Sequence, residues 1–145
     1  MAQHQFLFTE GNWLGQGELQ LAGSKETLPV FIRWEIEPIR ENAVLCKQTV
    51  EVPSAQHKGV NYYTLTLQTT STFEISLKNE FISTKGHGLI KENSITWNFQ
   101  DEGTLEGEEV FTLQNNGEYH FNAEFFSAVQ QETRISGRIW KTSNV

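Results

Sequence analysis

The sequence predicts an all-β protein, an antiparallel up-and-down β-barrel of about ten strands. Three observations predict it. Apolar and polar residues alternate with period two along nearly the whole chain. Polar, Gly- and Asn-rich turns separate the alternating runs at intervals of roughly 8–14 residues. Helical stripes at i, i+3, i+4 and i+7 are scarce. The connections are too short for helical crossovers, so sequence neighbours pair antiparallel. A sheet of this width curls, and its two free edges invite aggregation. A two-sheet sandwich or closure into a barrel resolves the problem, and short hairpins in series favour the barrel.

The strands follow in order. Trp13, Gly15, Gly17, Leu19 and Leu21 oppose Gln16, Glu18 and Gln20. Val30, Ile32, Trp34 and Ile36 oppose Arg33, Glu35 and Glu37, with Pro29 at the strand start where a missing N–H does little harm. Val44, Cys46, Gln48, Val50 and Val52 form the third apolar face, and Tyr63, Leu65 and Leu67 the fourth. Phe73, Ile75 and Leu77 form the fifth. Residues 81–90 are interrupted by Gly86 and Gly88, which predicts a bulge or bend. Ile95, Trp97 and Phe99 come next, and then Leu105, Gly107, Glu109, Phe111 and Leu113, where one carboxylate sits on an apolar face. Asn116-Gly117 is the strongest hairpin signal. Tyr119, Phe121, Ala123 and Phe125 precede the last face, Ile135, Gly137 and Ile139. Residues 1–145 read as a single domain, with 1–11 as an N-terminal plug or short helical turn; Ser127–Gln131 is a second candidate for a helical turn.

Composition narrows the function. The chain has 145 residues, room for one core. Its 37% hydrophobic and 12% aromatic content is too high for a disordered chain. The net charge of −7 argues against nucleic acid as a partner. A single cysteine excludes an intrachain disulfide and fits a reducing compartment. The N-terminus lacks the basic and apolar regions of a secretory signal, and no run approaches the ~18 apolar residues of a membrane span. The expectation is therefore a cytoplasmic protein without integral membrane association.

Ten strands enclose a wider space than eight, enough for a small ligand. The residues expected to line it are Trp34, Gln48, Tyr63, Trp97, Glu109, Phe111 and Tyr119. Gln48 and Glu109 are polar anchors on apolar faces, and the two tyrosines offer hydroxyls. Cys46 reads as a small buried apolar residue. His120 reads as solvent-facing, His87 as a turn or bulge residue, and His4 and His57 as terminal and loop residues. No histidine spacing indicates a metal site, and no catalytic or phosphate-binding motif is present.

The segment Gly11-Asn12-Trp13-Leu14-Gly15-Gln16-Gly17 resembles the G-x-W start of lipocalins, and more closely the G-x-W-x-G-x-G start of nitrobindin-like proteins. Both are calycins, a group of ligand-binding β-barrels. The resemblance implies that Trp13 packs under an Arg of the last strand, here Arg138, as a structural closure of the barrel. The nitrobindin resemblance implies haem, although the last strand lacks the histidine that would bind it. The leading expectation is non-enzymatic binding of a small apolar molecule, such as a lipid, fatty acid or hydrophobic metabolite, with no cofactor. Haem binding, a barrel enzyme of isomerase or hydrolase type, and a protein-interaction module are the alternatives.

Overall fold

A computed structural model describes residues 4–100, 105–127 and 132–142. Among them ten strands form one closed antiparallel barrel in which each strand pairs with its sequence neighbours, and the first with the last. The strands are β1 (Gly11–Leu21), β2 (Thr27–Ile36), β3 (Ala43–Val52), β4 (His57–Leu67) and β5 (Thr72–Lys78). They continue as β6 (Ser83–Ile90), β7 (Ser94–Gln100), β8 (Leu105–Leu113), β9 (Tyr119–Ser127) and β10 (Thr133–Lys141). No helix among the described residues is long and apolar enough to cross a membrane. The polar turn at 101–104 and most of the helical-turn candidate Ser127–Gln131 lie outside the described residues; Ser127 itself ends β9.

The period-two pattern maps directly onto the two sides of the wall. Val30, Ile32, Trp34 and Ile36 are buried while the residues between them are exposed. Phe73, Ile75 and Leu77 on β5 are buried in the same way. Closure rests on the long ladder from Trp13↔Lys141 to Leu21↔Thr133. Gly17 and Gly137 face each other in it, and a Cβ on Gly17 would meet the Ser136 carbonyl oxygen at 2.1 Å. Only glycine permits that approach.

Two turns show how local chemistry sets register. Glu41 and Asn42 both take left-handed φ values, 51° and 67°, between the reciprocally bonded Arg40 and Ala43. That is the primed two-residue turn that suits the strand twist. At Asn116-Gly117 only the glycine is left-handed, with φ 87°, and Gly117 donates to Gln114 O at 3.1 Å. The hairpin is there, and its extra residue replaces the two-residue turn.

The expectation of a bulge at Gly86 and Gly88 is corrected. β6 pairs in unbroken register with β5 and β7, Gly88 opposite Phe73 and Gly86 opposite Phe99. The glycines serve close approach instead: a Cβ on Gly88 would lie 2.0 Å from the Phe73 ring.

The two ends of the barrel differ. At one end the segment His4–Thr9 folds under the strands, with Thr9 N donating to Gln5 O at 3.1 Å. Phe6 is fully buried there, its ring 4.9–5.5 Å from those of Trp13, Trp34, Phe111 and Tyr119. Leu7 is equally buried. The opposite end opens between the β3–β4 and β5–β6 turns.

Candidate functional site

The open end leads into a cavity of about 1000 Å³. Trp34, Tyr63, Phe111 and Phe121 line it deeply, with Ile32, Val50, Leu77 and Ile139 beside them. The strand pleat puts these side chains inside, because each occupies the inward phase of its strand. Exposed His57, Lys58, Lys78, Glu80 and Phe81 stand at the rim.

Glu109 is the polar centre of this wall. It is 3% exposed and lines the cavity. Trp97 Nε1 donates to its Oε2 at 2.7 Å, and the Tyr63 hydroxyl donates to the same oxygen at 3.0 Å. Oε1 has no hydrogen-bond partner among the described residues. Burial raises the carboxyl from 4.5 to about 7, and the bonds from Trp97 and Tyr63 offset part of that rise. Tyr63 is pushed well above the usual phenol range by burial, and further by the adjacent Glu109.

A second polar line runs from the interior to the rim. Asn61 Nδ2 donates to Gln48 Oε1 at 2.8 Å, and Asn79 Nδ2 donates to Asn61 Oδ1 at 2.9 Å. Asn79 Oδ1 accepts from the backbone N–H groups of Phe81 and Ile82, which shapes the rim turn. The amide nitrogen of Gln48 has no protein partner among the described residues. Trp34 Nε1 is buried and also unpartnered.

The structure brings together five of the seven expected lining residues: Trp34, Gln48, Tyr63, Glu109 and Phe111. The other two lie outside that lining. Trp97 stacks behind the wall on Phe111, with centroids 5.0 Å apart, and donates to the carboxylate. Tyr119 belongs to the plugged end, where Phe6 covers it. His4, expected as a terminal residue, is buried beside Tyr119. Its Nε2 donates to the Lys91 carbonyl at 2.6 Å, so in the neutral ring Nδ1 accepts from the Tyr119 hydroxyl, also at 2.6 Å. Burial pushes that hydroxyl up to about 12.

The expected stacking of Arg138 on Trp13 is absent. Trp13 faces inward, whereas Arg138 pairs opposite Gln16 on the outer face. The guanidinium lies 4.6 Å from the Trp140 ring centroid and donates to Glu118 at 3.0 Å. Being at one end of the barrel is not enough for contact when the strand pleat sends two side chains to opposite faces. Asn61, Asn79 and Phe6 were not singled out from the sequence. Asn61 was detectable, since it is in phase with Tyr63 and Leu65.

β10 carries no histidine, and the histidine among the described lining residues is His57, exposed at the rim.

No family model matches the chain, and no curated protein matches it. A solved structure does: the protein Rv2717c from M. tuberculosis superposes with a TM-score of 0.69 at 10% identity, over 94% of this chain and 93% of that one. At that identity the likeness is one of fold, and the fold shared is a barrel of this kind.

Proposed function

We propose that the protein binds a small, largely apolar molecule inside the barrel, without catalysing a reaction on it. The observation that carries this reading is the open cavity of about 1000 Å³, walled by Trp34, Tyr63, Phe111 and aliphatic side chains, with one carboxylate oxygen that meets no donor among the described residues. Specific pockets have this make-up: mostly apolar walls and a few placed polar groups that orient the ligand. Burial of apolar ligand surface contributes about 25 cal/mol per Å² before ordering costs. Glu109 and the Gln48 amide are the orienting groups, and the rim turn held by Asn79 frames the entrance. The first-strand resemblance to calycins supports the same reading.

The test is native mass spectrometry of gently purified protein, followed by solvent extraction and identification of what is released. A stoichiometric apolar adduct supports the proposal. Protein that carries nothing, and that shows no saturable uptake of apolar probes, refutes it. A Soret band after addition of haemin would assign the cavity to a tetrapyrrole instead.

A further inference from the structure

We infer that the ligand is an amine: its ammonium group sits on Glu109 Oε1, against the rings of Trp34 and Tyr63, and its apolar body extends toward the rim. This rests on the proposed binding function and names the ligand class for the same cavity.

The geometry around the carboxylate carries it. Both protein donors converge on Oε2, and one of them, the Trp97 indole, can only donate. The fold therefore holds Oε2 as an acceptor and leaves the second oxygen toward the cavity. A buried carboxylate is normally paired with a cation or gives up its charge. No such cation is present among the described residues. The ion pairs there are Arg134 with Glu124 and Glu132, and Arg138 with Glu118, all on the outer face. The basic residues of the cavity lining, His57, Lys58 and Lys78, are exposed at the rim, where water screens them. The folded chain has already desolvated the anion, and a ligand ammonium supplies the missing charge.

The rings point the same way. Tyr63 and Trp34 lie with centroids 5.0 Å apart, and Tyr63 is bonded to Glu109 itself. Aromatic faces beside a carboxylate attract a cation through the ring quadrupole as well as through its charge. A neutral hydroxyl would satisfy Oε1 but leave the charge uncompensated. The net charge of −7 favours the approach of a cation to the protein as a whole.

The experiment compares three probes of equal chain length: octylamine, octanol and octanoic acid. Each is titrated calorimetrically into the full chain at about pH 8, where an alkylamine stays protonated. Octylamine is expected to bind about ten-fold more tightly than octanol, the difference between a charge-assisted and a neutral hydrogen bond. Glu109→Gln is expected to bring the two within about two-fold by removing the charge and keeping the shape. Octanol or octanoic acid binding as tightly as octylamine to the wild-type chain overturns the inference and leaves the apolar-ligand reading standing. If none of the three binds, that reading fails with it. The wild-type comparison decides the matter even if the variant does not fold.

Discussion

Glu109 is a group through which pH reaches the stability of this fold. In the unfolded chain its carboxyl loses its proton near 4.5, whereas burial holds it to about 7 in the barrel. Between those values the folded chain binds more protons than the unfolded chain. The stabilising contribution is therefore complete below the unfolded value and is lost as the pH climbs through about 7. At about 1.4 kcal/mol for each tenfold change in proton affinity, the whole effect is about 3 kcal/mol. Most of it falls between about pH 5 and pH 8. Glu109→Gln keeps an acceptor oxygen for Tyr63 and Trp97 but cannot ionise. Urea denaturation of both proteins across that range should show the variant gaining about 2–3 kcal/mol relative to wild type as the pH rises. Taking the difference between the two proteins removes the common response of the other titrating groups. A stability difference independent of pH would refute the reasoning, because the carboxylate would then be ionising as freely in the barrel as in the unfolded chain.

Four further outcomes follow from the packing. Phe6→Ala removes a ring lodged among four others at the plugged end, and chemical denaturation should show a loss of about 3 kcal/mol or more. Gly86→Ala sets a Cβ 1.6 Å from the Asn98 carbonyl oxygen of the paired strand, so the same measurement should show a loss of about 1–3 kcal/mol. Replacing Glu41-Asn42 by Asn-Gly suits the two left-handed positions better and should raise stability by about 0.5–1 kcal/mol in the same assay. The Cys46 thiol is pushed up to about 12 by burial and secondarily by Glu37, so iodoacetamide should label it far more slowly in the native chain than in urea, as followed by intact mass.

Period-two alternation determined the strands, the inward face of each, and the antiparallel order. It did so because a pleated strand has only two sides and the short turns leave only neighbouring strands to pair. It also marked Glu109 and Gln48 as polar residues on apolar faces, both of which line the cavity. Depth was not legible. Trp97, Phe111 and Tyr119 share the same inward phase in their strands, yet one backs the carboxylate, one walls the cavity and one closes the far end. Their places depend on axial position in a closed cylinder and on Phe6, a residue from outside the strands that fills one end. The burial of His4 was likewise decided by the tertiary structure. Alternation reports which side a residue faces, while packing between distant strands decides what it meets there.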